Sequence, residues 1–409
     1  MTLNLRMAWR NLWRHKRRTW LTATAMIFSN VLLVFMISLQ FGTYDMMIDN
    51  TLKSFSGHAQ IQVAGYRDNP KLRDSVPAIE ALAGELARAL PEARVTARAE
   101  GFALASSEQR SLGIQLVGVW PDTEPDVSTL PGLVSRGRYL QDPAAAEIVL
   151  GAVMARNLKV GPGDEITLLG SGRDGSFAAG IVTVTGIFNS GSKELDNSFA
   201  EVPLRYFQEV FAMGDHGHNV AIAVDELSQV RQALTAAETV IGGRDRLVVL
   251  DWMELHPGLK QAIQADFSSA WFMYGVLIIL VAFSVLNTQL MSVLERTREF
   301  GVITALGIKP RKLGALIMLE TGLMALIGLA IGLFLGWLVA LYFHANGFSY
   351  PGMEELGERF NLPGRMYPSL TPLGLVLGPF VVFLFCLLAS VYPALRLLRL
   401  RPVDAMRAA

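Results

Sequence analysis

The stretch Ser292-Val-Leu-Glu-Arg-Thr-Arg-Glu-Phe-Gly-Val-Ile-Thr-Ala-Leu-Gly307 decides how this chain is organised. It is charged and compatible with a helix, and long apolar runs flank it on both sides. Charged side chains are costly inside hydrocarbon, so the stretch predicts a short helix that emerges at a membrane surface. The alternative interpretation is an ordinary charged turn between two membrane helices.

Four apolar runs are long enough to cross a bilayer. A helix that rises 1.5 Å per residue needs about 20 apolar residues for this. The uncharged stretches are 19–44, 267–294, 321–353 and 366–395. The first run is longer than the core of a cleaved signal peptide, so we expect it to be retained as an anchor. The fold class is therefore predicted to be membrane α-helical, with four transmembrane helices per chain.

Basic residues predict the orientation, because they are retained on the cytoplasmic side of a membrane. Residues 1–18, 295–312 and 396–409 together carry fifteen Lys and Arg residues and three acidic residues, a surplus of +12. Since the whole chain has a formal net charge of zero, the rest of it, mostly 45–266, carries −12. We expect both termini and 295–312 to be cytoplasmic and 45–266 to lie outside.

The segment between the first two runs has the composition of a soluble domain. Strands are predicted at 59–63, 114–119, 219–224 and 247–250, and helices at 75–90 and 226–241. These elements indicate a large α+β extracytoplasmic domain, with a β-rich lobe inserted at about 111–212. The predicted regions are an interfacial amphipathic helix at 1–18, transmembrane helices at 19–44, 267–294, 313–343 and 371–395, the extracytoplasmic domain at 45–266, a cytoplasmic helix and loop at 295–312, an extracytoplasmic loop at 344–370 and a cytoplasmic tail at 396–409.

Motifs for catalysis or metal binding do not emerge from the sequence. Cys386 is the single cysteine, and no G-x-x-x-x-G-K-[ST] phosphate loop occurs. His216 and His218 lack a third nearby ligand, so we expect loop residues rather than a metal site. The basic N-terminus adjoins an apolar run without a folded basic domain, which argues against nucleic-acid binding. We therefore expect no enzymatic activity, metal or cofactor in this chain.

The charged stretch resembles the cytoplasmic coupling helix of the macrolide-exporter and lipoprotein-releasing superfamily of ABC permeases, the mechanotransmission or type VII type. We refer to residues 295–307 as the coupling segment. Its matching residues are Glu295, Arg296, Arg298, Glu299, Gly301, Ala305, Leu306 and Gly307. The resemblance implies a bacterial inner-membrane protein that works with a cytoplasmic ABC ATPase dimer, which would bind ATP and Mg, and with a second permease copy or a paralogue.

Further matches extend the resemblance over the whole chain. The N-terminal stretch 8–21 and the C-terminal stretches 392–396 and 401–407 resemble the family's ends. Residues 57–70 and 251–257 resemble the lipoprotein-release-like branch. They imply a lipoprotein cargo or a periplasmic partner. Two alternatives stay open: efflux of a peptide or antibiotic with a periplasmic adaptor, and regulation of a periplasmic enzyme without transport.

The third apolar run contains small residues at every fourth position. Gly328, Gly332, Gly336 and Ala340 would lie on one helix face, which predicts close approach of another helix. Glu320 follows Lys312 by eight residues, or about 12 Å along a helix, so it marks an intramembrane polar site. A structural role, snorkelling or paired with an arginine, and a gating role both fit Glu320.

Overall fold

The structure, a computed structural model, describes residues 3–14, 16–244, 246–349, 351 and 365–398. The predicted tail at 396–409 therefore lies outside the described residues from 399 onward, and the predicted loop at 344–370 does so at 350 and 352–364. The chain forms two compact units. We call residues 47–261 the inserted domain and the described parts of 1–46, 262–353 and 363–409 the membrane unit.

Among the described residues, four helices are long and apolar enough to cross a bilayer. A separate helix, α1 (Leu3–Arg14), precedes them. The four are α2 (Lys16–Thr51), α10 (Pro257–Glu295), α12 (Pro310–Asn346) and α13 (Pro372–Leu398). With 36 and 39 residues, α2 and α10 are about 54 and 58 Å long, well beyond the roughly 30 Å of hydrocarbon. The boundary between the two units falls within both helices.

The inserted domain contains one ten-stranded sheet with the strand order β10-β1-β9-β2-β3-β8-β5-β7-β4, and β6 pairs with β2 and β7. The strands are β1 (Ala59–Val63), β2 (Arg94–Ser106), β3 (Ser111–Val119), β4 (Val134–Gly137), β5 (Glu147–Gly151), β6 (Glu165–Ser171), β7 (Phe177–Phe188), β8 (Phe199–Pro203), β9 (Asn219–Ala223) and β10 (Leu247–Asp251). Strand β1 pairs antiparallel with both β9 and β10, so the two ends of the domain share one edge of the sheet.

Short helices cover this sheet. They are α3 (Ile79–Ala89), α4 (Glu124–Val127), α5 (Ala152–Leu158), α6 (Lys193–Ser198), α7 (Leu204–Val210), α8 (Val230–Ile241) and α9 (Trp252–Leu255). Helix α3 buries Ile79, Leu82 and Leu86 because they recur at helical spacing. A β-rich lobe was expected at about 111–212. The strands of that region belong to the same sheet as the rest of the domain, because β3 and β6 both pair with β2. The predicted fold class, four membrane helices with a large α+β domain between the first two, is confirmed.

Candidate functional site

The coupling segment folds as a short helix between two long ones. Helix α10 ends at Glu295, and α11 spans Thr297–Ala305. Gly307 has a φ of +93°, in the left-handed region that glycine adopts without steric strain. Pro310 is the first residue of α12, where its missing N–H has no helical partner to lose. Together, Gly307 and Pro310 end one helix and start the next.

Helix α11 has one buried and one exposed face. Phe300 is 2% exposed and packs with an apolar cluster from α10, α12 and α13, made of Val293, Leu313, Ile317 and Leu397. Three apolar side chains on α11 and in the turn after it are exposed: Val302, Leu306 and Ile308, at 46%, 79% and 44%. Arg298 and Glu299 are exposed as well, and they precede Val302 by four and three residues, which is the spacing of neighbours on a helix surface. Apolar side chains inside a charged rim are typical of a protein-binding surface.

Six of the eight predicted coupling residues are exposed and two are not. Those exposed are Glu295, Arg298, Glu299, Ala305, Leu306 and Gly307. Arg296 and Gly301 turn inward instead. Val302 and Ile308 were not among the predicted residues, although the spacing of four between Val302 and Leu306 is that of neighbours on one helix face.

Arg296 is the one charged residue of the coupling segment whose side chain is not exposed. Its side chain is 12% exposed, and its Nη1 lies 3.3 Å from Oε1 of Glu320, which is 8% exposed. Two nearly buried opposite charges gain more from pairing than exposed charges do. This ion pair is the arginine-paired role that we considered for Glu320.

The ion pair extends into a network that joins three helices of the membrane unit. Asn11 of α1 donates from Nδ2 to Oε1 of Glu320 at 2.5 Å. Arg296 Nε lies 3.4 Å from Glu299 Oε2, and Arg14 Nη2 lies 3.3 Å from Glu299 Oε1. Thus α1, α11 and α12 meet in one connected set of polar contacts.

The strip of small residues on α12 contacts α2. A Cβ added at Gly328, Gly332 or Gly336 would lie 2.8, 2.5 or 2.7 Å from the Cβ of Met26, Asn30 or Val34. Asn30 also donates from Nδ2 to the Gly328 carbonyl oxygen at 3.1 Å. The absence of side chains on the strip is therefore what allows the two helices to approach.

A buried ionic cluster in the inserted domain was missed by the sequence analysis. Arg98 on β2 and Glu124 on α4 are both fully buried, with Nε to Oε2 at 3.0 Å and Nη2 to Oε1 at 2.5 Å. The Arg98 guanidinium also donates to the Phe55 carbonyl oxygen and lies 4.0 Å from the centroid of the Phe55 ring. Arg98 therefore attaches the segment around Phe55, which follows α2, to strand β2 of the sheet.

Glu201 on β8 lies in the same buried cluster. Tyr139 donates its hydroxyl to Glu201 Oε2 at 2.7 Å. Burial, followed by the negative charge of Glu124, raises the pKa of Glu201 to about 8. Glu201 is therefore neutral at pH 7 in the folded domain, whereas it is ionised in the unfolded chain.

This difference predicts that the inserted domain loses stability as the pH rises from 6.5 to 8. In that range the folded state still holds the Glu201 proton and the unfolded state does not, so the loss is roughly 1 to 2 kcal/mol. We expect Glu201→Gln to reduce this dependence when unfolding in urea is followed by pulse proteolysis of the full-length protein. Buried His218, whose pKa is lowered to about 4 by burial, acts in the opposite sense, but below pH 6.5. An unchanged pH dependence in Glu201→Gln would contradict this assignment.

His216 and His218 both have protein partners. His218 Nδ1 accepts from the Glu100 amide at 2.8 Å, and its ring stacks on Tyr66 with centroids 5.0 Å apart. His216 Nδ1 lies 3.1 Å from the Ser75 hydroxyl. Within the described ranges, no group of three or more His, Cys, Asp or Glu residues is placed to hold a metal ion.

Two family descriptions match the chain. Residues 19–240 match the MacB-like periplasmic core domain, and residues 271–402 match the FtsX-like permease C-terminal region. The second match contains α11, most of α10 and the whole of α12 and α13. The first match alone covers more than half of the chain.

Two curated proteins and one solved structure are among those similar to this chain. The lipoprotein-releasing system transmembrane protein LolC of Neisseria meningitidis is 23% identical over 72% of this chain and 73% of its own length. LolE of Haemophilus influenzae, from the same system, is 27% identical over 72% of each chain. The solved periplasmic region of MacB from Actinobacillus actinomycetemcomitans aligns with a TM-score of 0.37 at 16% identity, covering 53% of this chain and 97% of that one. Because of the two family matches, the chain belongs to the family of multi-pass ABC transporter permeases that combine a MacB-like periplasmic core domain with an FtsX-like permease region, and its relatives include the lipoprotein-releasing branch.

Proposed function

We propose that this chain is the permease subunit that couples ATP hydrolysis by a separate cytoplasmic ATPase to changes of shape in the inserted domain. The observation that carries the proposal is the exposed apolar group on α11 and in the turn that follows it. An exposed apolar group with a charged rim lies between two membrane helices, within the region that matches the FtsX-like permeases. Such a face suits a soluble protein partner better than lipid, because its rim is charged.

The proposed orientation places the coupling segment and both termini in the cytoplasm and the inserted domain in the periplasm. It follows from the surplus of +12 in 1–18, 295–312 and 396–409. The complex then contains two permeases, either two copies of this chain or this chain with a paralogue, and two ATPases.

For the cargo we propose a lipoprotein in the inner membrane. The support is the similarity to LolC and LolE, which are described as lipoprotein-releasing transmembrane proteins. The local matches at 57–70 and 251–257 agree with this class of cargo.

The proposal predicts that Leu306→Asp abolishes copurification with the ATPase. Leu306 is 79% exposed, so the change leaves the packing of α11 intact while it places a charge in the apolar centre of the proposed interface. Loss of an interface hot spot costs about 2 kcal/mol or more, roughly 30-fold in affinity. The measurement is tag-based copurification of the ATPase with the full-length permease in detergent.

The matched control is Phe177→Asp in the inserted domain, where Phe177 is 77% exposed. This variant should copurify with the ATPase as the unmodified chain does. If Leu306→Asp retains a normal complex and normal stimulated hydrolysis, the coupling segment is only a loop and the proposed function loses its main support.

A further inference from the structure

The outer side of helix α1 carries positive charge. Within Leu3–Arg14 there is no Asp or Glu, and Arg6, Arg10 and Arg14 are all exposed. Each basic residue close to a membrane that contains anionic lipids adds a favourable electrostatic term. The charge of α1 therefore fits a surface of anionic phospholipid headgroups.

Three exposed tryptophans lie next to these bases. Trp9, Trp13 and Trp20 are 43%, 38% and 49% exposed. Their rings contact each other edge to face, with centroids 5.9 Å apart for Trp9 and Trp13 and 6.3 Å apart for Trp13 and Trp20. Tryptophan prefers the depth of the lipid headgroups, because its ring is apolar and its N–H is polar. Bases and tryptophans together are typical of an interfacial helix.

The opposite side of α1 is fixed within the membrane unit. Ala8 and Leu12 are 0% and 4% exposed. Thr19 at the start of α2 donates its hydroxyl to the Leu12 carbonyl oxygen at 2.7 Å. Asn11, on the same side, makes the 2.5 Å hydrogen bond to Glu320. Helix α1 thus contacts the same carboxylate that pairs with Arg296.

Arg296 is the residue immediately before α11, so its position affects how that helix is presented. Its side chain lies between the Glu320 and Glu299 carboxylates, with its Cζ 4.9 Å from the centroid of the Phe300 ring. A change in the position of α1 would alter the hydrogen bond at Glu320 Oε1, the oxygen that Asn11 and Arg296 share.

We propose that anionic phospholipids on the cytoplasmic leaflet regulate ATPase coupling through α1, and that Glu320 is the positioning residue that connects this lipid-binding helix to the coupling segment. The inference rests on the proposed function. In this proposal α11 has two positions. Anionic lipid favours one of them only if α1 binds the headgroups more tightly when α11 is in that position. The Asn11–Glu320–Arg296 contacts supply the physical connection between the two sites.

The test compares the purified permease–ATPase complex in vesicles of phosphatidylcholine alone and of phosphatidylcholine with an equal amount of phosphatidylglycerol. For the unmodified complex we expect stimulated hydrolysis to rise about fivefold with the anionic lipid, at the lower end of usual allosteric couplings. Asn11→Ala, Glu320→Gln and the double variant Arg6→Gln/Arg10→Gln should each lose most of this response while they still copurify with the ATPase. Asn346→Ala at the other end of α12 is the matched control and should keep the response.

The outcomes separate this inference from the proposed function. If the unmodified permease does not bind the ATPase, the proposed function fails. If it binds the ATPase but shows no lipid response, or if Asn11→Ala responds as fully as Asn346→Ala, only the regulatory role of α1 is wrong. Should Glu320→Gln not fold, Asn11→Ala still decides, because Asn11 is partly exposed and leaves the Arg296–Glu320 ion pair in place.

Discussion

Replacement of Gly332 by leucine is expected to separate α12 from α2 and to abolish stimulated ATP hydrolysis. An added Cβ alone would lie 2.5 Å from the Asn30 Cβ and 3.1 Å from the Ile27 carbonyl oxygen, and the second of these is backbone that cannot rotate away. Overpacking in a tight core costs about 1 to 3 kcal/mol for added methylenes, and a whole leucine side chain exceeds that range. The measurements are the thermal stability of the detergent-solubilised chain and its stimulation of the ATPase.

A matched pair of alanine variants isolates the cause. Gly332→Ala should lower the melting temperature, whereas Gly322→Ala on the same helix should not, because its Cβ would meet only Leu387 Cδ2 at 3.4 Å. Equal stability of the two variants, together with normal turnover in Gly332→Leu, would show that the α2–α12 contact does not matter for the permease.

The second large effect is expected for Arg98→Met in the inserted domain. The change leaves the fully buried Glu124 without its ion pair and removes the bond to the Phe55 carbonyl oxygen. Loss of one partner of a buried ion pair costs about 3 to 5 kcal/mol. We expect the inserted domain to unfold at a clearly lower urea concentration in pulse proteolysis of the full-length protein.

Two further variants test the physical reason. The double variant Arg98→Met/Glu124→Leu should recover much of the stability, because an apolar pair can replace a buried ion pair. Arg94→Met on the same strand loses an exposed pair with Asp225 and should cost no more than about 1 kcal/mol. If Arg98→Met and Arg94→Met are equally stable, the Arg98–Glu124 pair does not hold the domain together.

The fold class could be predicted from the sequence because its signals are local. Long apolar runs identify membrane helices without any knowledge of their neighbours. The strand predicted at 59–63 is β1, since a short alternating segment bounded by turn residues depends on few other residues. The resemblance at 295–307 likewise identified the family, since it lies in one continuous stretch.

Contacts between distant residues could not be predicted in this way. Asn11 and Glu320 are 309 positions apart, and the sequence of α1 indicates only an amphipathic helix. Arg98 alternates with Val95, Ala97 and Ala99 along β2, so it would be expected on a solvent-facing side of the strand. In the fold α4 covers that side and supplies Glu124. Burial of both faces of β2 is a tertiary property that the strand's own pattern does not contain.

The inward position of Arg296 could not be predicted for the same reason: it depends on a residue distant in the sequence. In a charged stretch every Arg and Glu looks exposed, and only the nearby carboxylate of Glu320 on α12 explains why this one turns inward. The sequence predicted which face of α12 another helix approaches, at Gly328, Gly332 and Gly336. It did not predict that this other helix is α2.

The central claim, that the coupling segment binds a cytoplasmic ATPase while the inserted domain lies on the other side of the membrane, is tested most directly by two single cysteines. Leu306→Cys and Asp174→Cys, each in a Cys386→Ser background, are treated with a membrane-impermeant maleimide in intact spheroplasts. Separate, permeabilised samples receive a maleimide–succinimidyl ester, which joins the introduced cysteine to lysines of a bound partner. We predict that only position 174 is labelled from outside and that only position 306 cross-links to the ATPase. Labelling of both positions from the same side, or a cross-link to the ATPase from position 174, would contradict the account.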